Sequence, residues 1–206
     1  YEIVFGDCSS DVCSSDLAAK EKRLKISFST LGCPAWDLPT IIDRARRYGY
    51  HGVDFRGLRG EMGVHKLPAF TTQRQDTLGR FADAGIEISG FSSSARMFNL
   101  TESAAADSLE EVNRYAELAN GMGVRFIRVF GGNIANTPRE QAVAKAAATL
   151  DAFARAAAPA VIAVETHDAW IDSALLASAV RAATQSNITV LWDLHHPYRK
   201  IGRAHV

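Results

Sequence analysis

The chain has 206 residues, 47% of them apolar and 22% charged, with a formal net charge of zero. That length supports one sizeable domain with its own core, and the composition is that of an ordinary globular protein. Zero net charge gives no reason to expect nucleic acid or an anionic membrane as a partner, and no apolar run approaches the roughly 20 residues needed to span a bilayer.

The two ends read differently from the middle. "YEIVFGDCSSDVCSSDL" repeats C-S-S-D, has no helical or strand period, and holds two of the three cysteines. It lacks the basic patch and apolar core of a signal peptide, and nothing downstream offers its cysteines disulfide partners. "DVCSSDL" and "KIGRAHV" both back-translate to a short-read sequencing adapter, on opposite strands; upstream, Cys8 stands where the adapter would encode tryptophan. Tyr1–Leu17 and Lys200–Val206 are therefore expected to be adapter-derived tails, leaving residues 18–199 as the biological insert. The insert has a net charge of +2 and one cysteine, Cys33. A single cysteine fits a reducing, cytoplasmic location. Cys33 precedes Pro34 and reads as a packed or loop thiol ahead of a nucleophile.

In chain order, the insert alternates two textures. "LKISFST" (24–30) is a β-branched and aromatic run, predicted as a first strand. "DLPTIIDRARRYGY" follows, with Ile41, Ile42, Ala45 and Tyr48 on one helical stripe ending at Gly49. A second strand is expected at 52–56, then a helix carrying Phe70, Leu78, Phe81 and Ala82 that stops at Gly85. A third strand at 86–92 leads to a helix with Leu109, Val112, Ala116 and Ala119 on one face. Asp107 or Ser108 signals its start and Gly121 lies past its end. A fourth strand at 125–132 precedes a helix capped by Thr137 with Pro138 at its first position. Strands at 161–167 and 188–196 flank a helix opening at Asp172.

Six strand–helix repeats imply a parallel sheet covered by helices, either doubly wound or closed as a barrel. "GLRGEMG" (57–63) lacks the G-x-G-x-x-G spacing of a dinucleotide-binding turn. A complete eight-stranded barrel takes about 250 residues, so six units fit a (β/α)8 barrel cut short.

Function in such folds sits at the C-terminal ends of the strands. Asp54 and Arg56 end the second strand on one side, with Val53 and Phe55 on the other. Arg128 lies in the fourth, before Gly131 and Gly132. The fifth is apolar until Glu165, Thr166, His167 and Asp168 arrive together; the sixth ends in Asp193, His195 and His196. A carboxylate at the mouth of a buried strand is costly unless neutralised. Arg56 or Arg128 could neutralise Glu165. A dication bridging Glu165 and Asp193 resolves both costs at once, with His196 or His167 in reach of the metal or of a bound hydroxyl. Oxygen ligands with one imidazole suit manganese, magnesium, cobalt or zinc.

Other polar residues carry blander expectations. Strand alternation turns His195 away from the site, and His51 and His65 read as solvated loop residues. Asp54 serves either substrate binding or a structural ion pair. Ser92–Ser94 read as turn residues, since no Ser-His-Asp spacing supports a nucleophile. Trp36 either walls the pocket or packs.

"LKISFSTLGCPAWDL", "GYHGVDFRGLRGEM", "EISGFSSS", "AVETHDAW" and "VLWDLHHPYR" together resemble the sugar phosphate isomerase/epimerase family, the xylose isomerase-like barrels. The resemblance spans essentially the whole insert. It implies a (β/α)8 barrel holding a divalent metal through a Glu on strand five, an Asp on strand six, a His on strand seven and a Glu on strand eight. Glu165 and Asp193 match the first two. His196 matches a histidine that contacts substrate near the metal. The last two ligands have no counterpart here, which the adapter reading explains as a sequence cut before strands seven and eight.

The expected function is metal-dependent isomerisation or epimerisation of a sugar, sugar phosphate or related polyol through an ene-diolate. Glu165 is the candidate catalytic group, and His196, His167, Arg128 and Asp54 are candidate substrate contacts. An apurinic-endonuclease-like phosphodiesterase or a non-catalytic sugar-binding barrel is the alternative. The expected partner is a small carbohydrate, not nucleic acid or membrane. A homo-oligomer of the full-length parent is compatible with the sequence. The polypeptide as given is expected to lack isomerase activity and to associate with itself.

Overall fold

The computed structural model describes residues 24–201. The expected tail at 1–17 lies outside them, as do residues 202–206. Six strands form one sheet: β1 (Ser27–Ser29), β2 (Gly52–Phe55), β3 (Glu87–Arg96), β4 (Phe126–Phe130), β5 (Val161–Glu165) and β6 (Ile188–Leu191). They pair in parallel and strictly in chain order. A doubly wound sheet reverses direction at a switch point. This one never does, so the architecture is a TIM barrel represented by six of its eight strands.

Six helices follow the strands: α1 (Leu38–Arg47), α2 (Arg74–Ala84), α3 (Glu102–Met122), α4 (Arg139–Ala157), α5 (Ser173–Ala182) and α6 (His195–Ile201). None is long and apolar enough to cross a membrane among the described residues. Alternate strand residues Val53, Phe55, Ile127, Val129, Ile162 and Val164 are fully buried in the sheet–helix layer. Phe55 meets Phe70 and Phe81 there at ring distances of 4.8 and 5.9 Å. Burying a side chain of this size contributes about 1.5–3 kcal/mol, so this layer is the main stabilising element. The opposite strand face carries Asp54, Arg128, Ala163, Thr189 and Leu191, which line the barrel interior.

Local chemistry sets the helix ends. Asp37 caps α1 by accepting the Thr40 N–H at 3.0 Å, and Asp172 caps α5 by accepting those of Ala174 and Leu175. Gly85 stops α2 in the left-handed region at φ +68°.

Several boundaries differ from the sequence expectation. Tyr48 lies just past α1 and is exposed, and Ala82 faces solvent. α3 begins nearly two turns earlier than expected, because Thr101 accepts the Ala104 N–H and provides a cap. It ends at Gly123, with Gly121 still inside it. At the start of α4, Pro138 rather than Thr137 takes the capping position. Ser92–Ser94 are not a turn, since β3 runs through them to Arg96. β6 stops at Leu191, and His195 and His196 belong to α6, so strand alternation does not govern where they point.

Candidate functional site

β5 and β6 deliver polar residues to the rim where the strand–helix loops begin. Glu165 is the last residue of β5, opposite Leu191 of β6. The Thr166 N–H donates to the Leu191 carbonyl at 3.0 Å, which carries the pairing one residue further. His167 follows immediately. On β6 the chain leaves the sheet at Leu191 and turns at Asp193. The Asp193 carboxylate accepts the backbone N–H groups of His195 at 2.6 Å and His196 at 3.4 Å. Asp193 is thus the cap of α6, and that cap swings His196 back over the end of β5.

Glu165, His167 and His196 form one cluster, each offering a ligand atom within 4.8 Å of the others. The His167 and His196 rings meet edge to face at 4.2 Å. His167 Nδ1 lies 2.9 Å from Asp168 Oδ1 but off the hydrogen-bonding direction, so this buried nitrogen has no hydrogen-bond partner among the described residues. One carboxylate and two imidazoles, one of them with an unbonded ring nitrogen, are a donor set that suits a divalent metal with positions left open. Asp193 stands beside the cluster. Its Oδ2 is 3.5 Å from His196 Nε2, so the two acidic residues at the ends of β5 and β6 flank a shared histidine on one rim.

Arg128 sits beneath the cluster. Its Nε is 3.1 Å from Glu165 Oε2, and the two side chains are only 10% and 14% exposed. Its Nη1 donates to the Ser93 carbonyl at 2.7 Å, and its guanidinium carbon lies 3.9 Å from the Phe130 ring centre. Burial pulls the Arg128 pKa down while Glu165 pulls it up. Arg128 therefore spends two donors within the protein.

Asp54 lies deeper, outside the cluster, where Ser92 Oγ bonds both of its oxygens at 3.0 and 2.9 Å. Burial pushes its carboxyl pKa up, against hydrogen bonds from Ser92 and Ser29 and the charges of Arg128 and Arg56. Arg56 donates to Ser94 Oγ at 2.8 Å.

Three residues named in the sequence do more than their pattern indicated. Thr166 ties β5 to Asp193, and a Thr between Glu165 and His167 gives no hint of it. Asp168 has φ +55°, and its Oδ2 accepts the Gly132 N–H at 3.3 Å. His65, expected in solvent, has both ring nitrogens buried without hydrogen-bond partners among the described residues, and its ring lies 5.2 Å edge to face from Tyr115. That packing joins residues 50 positions apart, so no local pattern reports it. Trp36 packs edge to face with Phe28.

The ordered parallel strands define an α/β barrel whose rim gathers acidic and imidazole groups. The chain belongs to the xylose isomerase-like TIM barrel family, whose model matches residues 42–204. Among solved structures it is similar to the 3-keto-D-glucoside 4-epimerase YcjR of E. coli, with TM-score 0.70 and 11% identity over 88% of this chain and 73% of that one. It is also similar to the IOLI protein with a bound zinc atom, with TM-score 0.73 and 16% identity over 87% and 66%. A third is the probable 3-DHS dehydratase AsbF of Bacillus anthracis, with TM-score 0.67 and 18% identity over 87% and 66%. The chain thus spans about two thirds of the length of the last two. No curated protein matches it in sequence.

Proposed function

We propose that this chain carries part of the site of a divalent-metal-dependent isomerase or epimerase acting on a sugar, sugar phosphate or related polyol. The observation that carries the reading is the Glu165–His167–His196 cluster at the C-terminal ends of β5 and β6. In an α/β barrel this rim is where chemistry is placed. Similarity to a zinc-bound protein and to a sugar epimerase supports both halves of the reading.

Glu165, His167 and His196 would hold the metal, with Asp193 beside them as a further oxygen donor. A bound dication supplies Lewis acidity, which makes the carbon between a carbonyl and a hydroxyl easier to deprotonate. The chain's own residues do the rest. Glu165 is a carboxylate at the rim and can take or return a proton at that carbon. Arg128 holds its Oε2 edge and fixes its orientation. His196, anchored through its backbone N–H to Asp193, and His167, packed on Phe130 at 4.9 Å, present ring nitrogens to substrate hydroxyls or the metal. Asp54, on the inner face below, is a candidate for a hydroxyl deeper in the barrel.

The test has two arms. Calorimetric titration of the chain with Zn²⁺ or Mn²⁺ is expected to show one site, weakened at least tenfold by His167→Ala or Glu165→Gln. In a full-length barrel, Glu165→Gln is expected to abolish isomerase or epimerase turnover. Undiminished turnover in that variant would remove Glu165 from the mechanism.

A further inference from the structure

We infer that Arg128 is a built-in competitor of the metal: a fixed guanidinium that neutralises Glu165 in the metal-free protein and thereby sets how tightly a dication is held. This rests on the metal reading above, and concerns a residue that would touch neither metal nor substrate.

The geometry leaves Arg128 little freedom. Nε is on Glu165 Oε2, Nη1 is on the Ser93 carbonyl, and the guanidinium lies against the Phe130 ring. Its own carbonyl accepts the Ser93 hydroxyl at 2.7 Å, so backbone and side chain are both tied to β3. A cation entering the cluster therefore meets a guanidinium that cannot swing away, on a carboxylate already half spoken for. Two effects follow, and they act in the same direction. The fixed positive charge repels a dication across a poorly solvated gap. It also lowers the energy of the empty site, because Glu165 would otherwise be a buried carboxylate without a partner. Removing the charge raises the empty state and relieves the loaded one.

Arg128 is mostly buried and spends Nε and Nη1 on acceptors within the protein. Asp54 also feels the guanidinium electrostatically, so two carboxylates share its charge, of which only Glu165 belongs to the cluster.

The experiment compares wild type, Arg128→Met, Arg128→Gln and Arg128→Lys in the full chain, reading Zn²⁺ and Mn²⁺ affinity by calorimetry and the melting temperature with and without saturating Zn²⁺. Both neutral variants are expected to bind Zn²⁺ at least about tenfold more tightly than wild type, because loading relieves an uncompensated buried charge. They should also melt lower without metal and gain more from it. The lysine variant keeps the charge, which is what the inference turns on, and should stay within about threefold of wild type although the fork geometry is lost. If a neutral variant is unfolded without metal, saturating Zn²⁺ should restore its folded circular dichroism signal. Equal or weaker binding by the neutral variants, or no restoration, overturns the inference while leaving the metal site intact. Absence of Zn²⁺ and Mn²⁺ binding in wild type and variants alike overturns the metal reading, and this inference with it.

Discussion

Thr166 and Asp193 lock the ends of β5 and β6 to each other. The Asp193 N–H donates to Thr166 Oγ1 at 2.8 Å, and the Thr166 hydroxyl is 3.2 Å from the Asp193 carbonyl, to which it donates in turn. Thr166 is almost fully buried. The pair fixes where the chain leaves the sheet, hence where Asp193 caps α6 and where His196 lands relative to Glu165.

Thr166→Val keeps the shape and removes the hydroxyl, so the part-buried Asp193 N–H loses its acceptor. The expected cost is about 1–3 kcal/mol of unfolding free energy, read from urea denaturation. Zn²⁺ affinity should fall as well, because His196 is placed through this contact. A variant with wild-type stability and wild-type metal affinity would show that the β5–β6 backbone pairing alone sets the rim.

The contrast between two glycines gives a second prediction. A Cβ on Gly131 would lie 2.3 Å from Trp170 Cδ1, within a fully buried indole, whereas nothing stands within 4 Å of a Cβ on Gly79 inside α2. Gly131→Ala is therefore expected to destabilise by about 1–3 kcal/mol through overpacking. Gly79→Ala should stabilise by up to about 1 kcal/mol through helix propensity. Thermal melts of the two variants should shift in opposite directions.

Much of this fold can be read from the order of residues, and particular places cannot. Strands β5 and β6 announce themselves as apolar runs with a polar end, and Glu165 and Asp193 stand out as acids where acids are costly. The α6 start is harder. His195–Ile201 spans under two turns and has no apolar stripe, so "DLHH" looks like more strand; only the capping habit of Asp193 hints otherwise. The serines of β3 mislead for a related reason. Ser92, Ser93 and Ser94 have turn-like composition, yet each hydroxyl is engaged, on Asp54, on the Arg128 carbonyl and by Arg56. Those partners are 35 to 38 residues away in the chain, beyond any local window. The Arg128–Glu165 pair is the same case, since sequence offers two arginines and contact selects one.

Asp54 gives a pH signature. Its carboxyl pKa is raised, with burial the largest cause. In the window between the ordinary carboxylate value of about 3.9 and that raised value, the folded state holds a proton that the unfolded chain has released. Stability from this group is thus present at low pH and lost as pH rises through the window. Asp54→Asn cannot titrate there. The free-energy difference between variant and wild type should move in favour of the variant as pH climbs through that window, then level off. A difference that is flat from pH 3 to 8 would mean that the hydrogen bonds from Ser92 and Ser29 cancel the cost of burial.

The outer edge of β6 leads to the last prediction. Among the described residues β6 pairs only with β5, and β1 only with β2. Val190 and Leu191 are each 40% exposed, and Trp192 and Leu194 beyond them are 65% and 58% exposed. An unpaired strand edge flanked by large apolar side chains is a template for pairing with another chain, and this one has no proline, bulge or lysine to blunt it. The chain as given should therefore associate with increasing concentration in sedimentation velocity runs. Trp192→Lys places a charge at the most exposed of these positions and should shift the distribution toward monomer, with little loss of stability because that side chain is mostly in solvent. Urea would not reproduce this selectively, since it weakens apolar burial everywhere. A chain that sediments as a single monomeric species at high concentration would show that the edge is covered, and that the exposed tryptophan is an ordinary surface residue.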